Sequence, residues 1–319
     1  MSRLKIALTS GDSDGIGFEV TAKALNLLGP QKNVQFFLWR NDDAPAKYLK
    51  LIDKKFQRIT VDSLSEALKI EGPYLVDIAS DLAPALWVEE TAKACMKKQL
   101  HGLATAPLSK TGIRDAGLKD LGHTDILKRI SKAPTVRMGF VGEAFNVVLA
   151  TAHIPLKKVS SALTLDVLKD TLVLTNDLRL KLPASIKQKP IALLGLNPHA
   201  GEDSMLGSEE QDLFPALMAF ARRKKIPVSG PLVPDAAFFP ENWKKYSAYV
   251  ALYHDQGLIP FKMIHGQRSG VHISLGLPFT RTSVDHGTAK DIYGQDIADP
   301  HSMLDALRWS VKLSRLQNG

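Results

Sequence analysis

Short apolar runs alternate along the chain with longer stretches of helical spacing. Lys5–Thr9, Val34–Trp39, Gly102–Ala104, Asn146–Ala150, Ile191–Leu196, Ala248–Tyr253 and Val271–Leu275 read as strands, each an apolar run bounded by turn formers. Ile16–Leu28, Ala83–Lys97, Asp166–Leu180, Glu209–Lys224 and Ser302–Leu316 return apolar residues every third or fourth position and read as helices. This alternation predicts an α/β protein with a largely parallel sheet. No internal repeat or low-complexity linker interrupts it, and Leu182–Pro190 reads as a connector before a strand.

The residues that follow the strands carry the functional signal. "KIALT" runs into Ser10-Gly11-Asp12, "GLATA" into Pro107-Leu108-Ser109-Lys110, and "NVVLATA" into His153. "IALLGLN" runs into Pro198-His199-Ala200-Gly201-Glu202, and "AYVALY" into His254-Asp255. If these strands are parallel, all five ends share one edge of the sheet, where open α/β folds gather their ligands. Wet turns alone would scatter such residues over both edges. The convergence predicts a composite active site.

His153, His199 and His254 are too far apart in sequence for any local ligand spacing. A lone histidine is more often a hydrogen-bonded structural residue than a ligand, but three at equivalent strand ends reverse that expectation. Neutral imidazoles suit zinc, cobalt and other borderline divalent ions. Three of them would leave coordination positions open for substrate oxygens. Asp255 or Asp12 could orient such an imidazole.

Composition narrows the class. The 319 residues suffice for one large domain or two ordinary ones around a cleft, and 45% hydrophobic content is ordinary for a globular chain. A single cysteine, Cys95, excludes an internal disulfide and a thiolate-rich metal site. No apolar run reaches membrane-spanning length, and "MSRLKIALTSGD" enters a strand pattern at once, so no leader is expected and cytoplasm is the expected location. The net charge of +8, from 41 Lys+Arg against 33 Asp+Glu, is dispersed. Its densest group, Arg222–Lys225, falls where a helix should end and where cations complement the helix dipole. Nucleic acid and membrane are therefore not expected partners, and an anionic small substrate accounts for the balance.

Three polar segments remain. "GDSDGIGFE" (Gly11–Glu19) fits neither the Walker pattern nor G-x-G-x-x-G. It reads either as a tight turn with Asp14 capping a helix or as a direct ligand contact. "DLGHTDIL" places His123 and Thr124 at a helix start, where free N–H groups favour an anion. Gly276–Pro300 is the densest polar stretch, with Arg281, Asp285, His286, Gly287 and Thr288 close together. Lys262 and Arg281 both suit phosphate, lysine as a point charge and arginine as a fork.

With these motifs in order from "LTSGDSDGIGFE" through "TAPLSK", "GHTDIL", "ATAHIPL", "LGLNPHAGE" and "YHDQGLIPFK" to "LGLPFTRTSVDHGTA", almost the whole chain resembles the 4-hydroxythreonine-4-phosphate dehydrogenase family of vitamin B6 biosynthesis. "HGTAKDIYGQDIADP" also resembles the cofactor loop of isocitrate and isopropylmalate dehydrogenases, which bind NAD or NADP without the glycine fingerprint. The resemblance implies a two-lobed α/β/α sandwich of isocitrate/isopropylmalate dehydrogenase-like type with an active-site cleft between the lobes. Residues 1–130 plus 277–319 would form one lobe and 131–276 the other. His153, His199 and His254 would bind a divalent metal (Zn, Mg, Co or Mn), with His254 supplied by the second subunit of a homodimer that shares its active site. His123, Thr124, Lys262 and Arg281 would hold a phosphorylated substrate, and Asp285, His286, Gly287, Thr288 and Asp291 the NAD or NADP.

The implied reaction oxidises the C3 alcohol of 4-phosphohydroxy-L-threonine and then releases carbon dioxide, giving 3-amino-2-oxopropyl phosphate. A divalent ion suits that chemistry because it acidifies a bound alcohol and stabilises the charge left behind by carbon dioxide. The general base is Asp255 or Lys262 on this reading.

The chain departs from its family at two places. Ser13, Asp14 and Phe18 replace family residues in the first loop, among them both of its prolines. His272 stands where the family typically has a substrate-binding asparagine, and the segment between Lys262 and His272 is one residue longer. An imidazole cannot offer an amide's donor-and-acceptor pair. The second reading is therefore a paralogue acting on 4-phospho-D-threonate or 4-phospho-D-erythronate, and a third is a catalytically silent metabolite-binding protein on the same fold.

Overall fold

The computed structural model describes residues 3–266 and 269–318. Its strands are β1 (Leu4–Thr9), β2 (Val34–Asn41), β3 (Arg58–Val61), β4 (Leu75–Ser80), β5 (Gly102–Thr105), β6 (Arg137–Val141), β7 (Val147–Leu149), β8 (Ile191–Leu194), β9 (Val228–Leu232), β10 (Tyr249–Ala251), β11 (Val271–Leu275) and β12 (Thr280–Val284). The chain divides into two compact units, Met1–Val136 with Gln267–Gly319, and Arg137–Gly266. The return to the first unit comes earlier than the expected 277 because β11 pairs antiparallel with β12, Val271 opposite Val284. His272 thus belongs to the first unit and not to the expected second lobe. Residues 267 and 268, within the lengthened segment, lie outside the described residues.

In the first unit the strands lie in the order β3-β4-β2-β1-β5-β12-β11. β1 is parallel to β2 and β5, and β5 to β12. β1, β2, β5 and β12 therefore discharge along one edge, which collects Asp12, Asn41, Ser109 and Asp285. A core around Phe37, Trp39, Val76, Trp87 and Leu103 packs one face of the sheet. Side chains this large contribute about 2–3 kcal/mol each when fully buried.

In the second unit the order is β6-β7-β10-β8-β9. β10 runs parallel to both β7 and β8, so the ends leading to His153, His199 and His254 share an edge. Both faces are covered: Leu193 and Val250 pack with Leu172 and Phe214, while Leu194, Tyr249 and Ala251 pack with Phe145 and Phe261. That double burial makes these strands continuous apolar runs, which is how the sequence announces them.

The helices follow the apolar spacing closely. Gly17–Leu28, Pro84–Met96, Leu165–Lys181, Glu209–Arg223 and His301–Asn318 occupy the expected spans to within two residues. Thr164 starts the third of these by accepting from the Val167 amide at 3.3 Å. His254 and Asp255 open a helix, His254–His265, with Tyr253 at its N-cap. No helix of the described residues is long and apolar enough to cross a membrane.

Candidate functional site

In the first unit the site grows from β12. Its sequence, TRTSV, is largely polar, yet all five residues are buried. Each polar group therefore needs a partner. Thr282 donates to the Ala306 carbonyl at 2.8 Å. Arg281 donates through Nη1 to His272 Nδ1 at 2.9 Å and to Ser274 Oγ at 3.2 Å, and through Nη2 to Thr105 Oγ1 at 2.7 Å. These acceptors are all neutral. Burial pushes the guanidinium pKa down to about 9, still protonated at neutral pH. Its Nε is sealed from water with no acceptor among the described residues. A buried cation of this kind, with neutral partners and a vacant donor, is built to receive an anion.

His123 and Thr124 open the helix His123–Ser131, and Gly122 before them supplies no side-chain cap. The first two amides, those of His123 and Thr124, are therefore available to a ligand. Burial, followed by the charge of Arg281, holds His123 well below the ordinary imidazole range, so it is neutral. Its Nε2 is buried without a partner.

The first loop and the loop after β12 are joined. Gly11 has φ +72°, and a Cβ there would lie 2.2 Å from the Pro107 carbonyl oxygen, so only glycine lets β1 and β5 end side by side. Asp12 accepts from the Ser109 amide at 2.9 Å, while Ser109 caps the helix Lys110–Asp115 through the Gly112 amide. The Ile16 amide donates to the Thr288 carbonyl at 3.0 Å. Asp14, expected as a helix cap, does not cap: the position before Gly17–Leu28 is Ile16, and the Asp14 carboxylate turns outward to Lys290 at 2.6 Å. Farther along, buried Glu19 accepts from the Ala298 amide and from Lys23, both at 2.8 Å, anchoring the far limb of the same loop. Asp285 is fixed by its amide to Ser302 Oγ at 3.0 Å, His286 Nδ1 lies 2.9 Å from the Gly287 carbonyl, and Asp291 is exposed.

In the second unit His153 and His254 converge, their ring centroids 5.5 Å apart. Asp255 accepts from His254 Nδ1 at 2.6 Å, so Nε2 is the nitrogen of that ring with a lone pair to offer. His199 lies in the short helical turn Pro198–Gly201 with φ 51°. Among the described residues no three His, Cys, Asp or Glu side chains come together as a metal-holding group. One chain thus pairs His153 with His254, the histidine expected from a second subunit, and does not bring the triad together. Lys262 is exposed on the helix His254–His265.

Two positions escaped the sequence reading. Gln256 accepts from the Leu252 amide and donates to the Gly195 carbonyl, both at 2.7 Å, tying the ends of β10 and β8 together. Glu210 receives two backbone amides of the His199 segment. Glu210 gave no signal because it sits in an ordinary acidic first turn of a helix.

The fold is similar to that of the apo form of a β-decarboxylating dehydrogenase from Thermococcus kodakarensis, at TM-score 0.57 and 13% identity, over 97% of this chain and 83% of that one. The family match is more specific. The family described as "Pyridoxal phosphate biosynthetic protein PdxA" matches residues 22–310, and the chain belongs to that family. A curated relative from Sulfurihydrogenibium sp. (strain YO3AOP1), named 4-hydroxythreonine-4-phosphate dehydrogenase, is 36% identical over 98% of this chain and 99% of its own length. The crystal structure of the Klebsiella pneumoniae protein of that name is similar at TM-score 0.78 and 27% identity, covering 98% of each chain.

Proposed function

We propose that this chain is a nicotinamide-dependent 4-hydroxythreonine-4-phosphate dehydrogenase serving pyridoxal phosphate biosynthesis. The observation that carries the reading is Arg281, a buried guanidinium with only neutral partners, beside a neutral His123 at an uncapped helix start. That combination suits the phosphate of the substrate, with Thr124 at the same helix start.

The donor set of the second unit fits a divalent ion. His153 and His254 are close enough for both rings to face one ion, and Asp255 fixes the His254 tautomer. With His199, three imidazoles drawn from two copies of the chain would hold it. When bound, such an ion acidifies a coordinated alcohol and neutralises charge that develops on oxygen. Exposed apolar side chains follow each of these histidines in sequence: Leu156 (71% exposed), Met205 (76%) and Met263 (77%). This supports a homodimer in which the histidine segments meet a second subunit.

The chain's own steps follow. Arg281 and His123 orient the phosphorylated end of the substrate for hydride transfer from C3. The loop from Asp285 to Asp291 would hold the NAD or NADP, which when bound would supply the acceptor for the C3 hydride. Asp255, engaged with His254, acts as the orienting carboxylate. Lys262 is then the base that takes the C3 hydroxyl proton. The 3-oxo acid that results loses carbon dioxide to give 3-amino-2-oxopropyl phosphate.

The test is a substrate panel assayed with NAD and NADP and several divalent metals. The reading expects NADH or NADPH formation from 4-phosphohydroxy-L-threonine, lost in His199→Ala. Full activity in that variant would sink the metal assignment, and preference for 4-phospho-D-threonate would favour the paralogous activity, which His272 motivates.

A further inference from the structure

His199 sits in a backbone that its own residue type disfavours. His199, Ala200, Glu202, Asp203 and Ser204 have φ of 51°, 54°, 43°, 52° and 73°, all left-handed and none glycine. Each such residue costs about 1 kcal/mol or more, so the run persists only where its surroundings hold it. Glu210, 4% exposed and in the first turn of the helix Glu209–Arg223, bonds the residues that lead into this run.

Glu210 Oε1 accepts from the Leu196 amide at 2.7 Å and the Asn197 amide at 2.8 Å, and Oε2 accepts from Asn197 Nδ2 at 2.9 Å. Asn197 Nδ2 also donates to Glu209 at 2.7 Å. The carboxylate lies inside the loop: a Cβ on Gly201 would stand 3.0 Å from Glu210 Oε2, and one on Gly195 would stand 3.2 Å from Oε1. From the opposite side Gln256, two residues beyond His254, donates to the Gly195 carbonyl at 2.7 Å. Residues 195–197 are therefore clamped between the helix that bears His254 and the helix that bears Glu210.

Only a carboxylate answers all three donors, because it has acceptors alone, and its bonds to backbone N–H groups are charge-assisted. A glutamine would present a donor to Asn197 Nδ2 in place of Oε2. We propose that Glu210 is the positioning residue of His199: it fixes the left-handed loop and so sets where the imidazole is offered to a divalent ion. The ion-binding part rests on the proposed metal role of His199.

The experiment uses the full-length dimer and the variants Glu210→Ala, Glu210→Gln and His199→Ala. Cobalt(II) binding is followed by its visible absorption, and amide exchange is followed over residues 195–208 in metal-free protein. Glu210→Ala is expected to weaken cobalt binding by about 10- to 100-fold, the range for losing a group that orients a ligand. It should also change the absorption spectrum and accelerate exchange in the loop. Glu210→Gln keeps an acceptor for the two backbone amides and should fall between; it carries the test if the alanine variant does not fold. Wild-type cobalt affinity and spectrum in Glu210→Ala, alongside weakened binding in His199→Ala, would overturn the proposal. If His199→Ala itself binds cobalt normally, the metal role of His199 falls. Unchanged loop protection in Glu210→Ala then overturns the positioning role independently.

Discussion

Arg281 donates through Nη1 to Nδ1 of His272 at 2.9 Å, across the antiparallel pair β11–β12. A guanidinium has donors only, so Nδ1 must accept and His272 must be neutral with its proton on Nε2. His272 is thereby an acceptor that steadies the buried Arg281 guanidinium. His272→Asn keeps an acceptor for Arg281 through Oδ1 and adds an amide donor. It is expected to raise kcat/KM for the aminated phospho-acid relative to the non-aminated one by about tenfold, the equivalent of one hydrogen bond to a charged group. Side-by-side assays read the ratio, and an unchanged ratio would remove His272 from substrate selection.

Arg281 itself separates anion binding from folding. Inorganic phosphate at a hundred times its Kd should stabilise the native protein by about 2.7 kcal/mol through mass action. Arg281→Met should abolish that stabilisation. Thermal melts with and without phosphate provide the check, and an equal shift in both proteins would place the anion elsewhere.

His123 makes stability depend on pH in a definite direction. Its folded pKa is depressed, so near and below about pH 6.5 the unfolded chain binds a proton that the folded chain refuses. The stability is present above that pH and is lost as pH falls, by up to about 1.4 kcal/mol per pH unit from this residue. His123→Asn cannot titrate, and its urea midpoint should fall less steeply between about pH 7.5 and 5.5. Parallel slopes would show that His123 is not the group responsible.

The Asp14–Lys290 ion pair is exposed on both sides and joins the first loop to the loop after β12. Exposed pairs contribute little to stability, so Asp14→Ala should leave the melting temperature within about a degree. The expected effect is on cofactor binding, as a rise in the KM for NAD or NADP that shrinks when salt goes from about 20 to 300 mM. A KM that ignores both the substitution and the salt would confine the pair to the surface.

Legibility followed burial. β7, β8 and β10 are covered on both faces and so announce themselves as apolar runs, with the histidines just beyond them. β12 was not legible because Thr280, Arg281, Thr282 and Ser283 are polar and look like a loop, although all four are buried. Their burial is tolerable because His272 and Ser274 on the neighbouring strand, and the distant Thr105, Ala306 and Gln317, supply partners. Asp14 failed as a cap for a related reason: its preferred partner, Lys290, is 276 residues away.

The sequence by itself determined the α/β class, the strand-end histidines and the polar stretch holding Arg281 and Asp285, because periodicity and local composition are properties of neighbouring residues. Tertiary structure alone decided that Arg281 has neutral partners, that His153 meets His254 within one chain while His199 does not join them in a triad, and that Glu210 receives the Leu196 and Asn197 amides ahead of His199. Those are relations between groups far apart along the chain, and their energies depend on burial and distance, which no local pattern encodes.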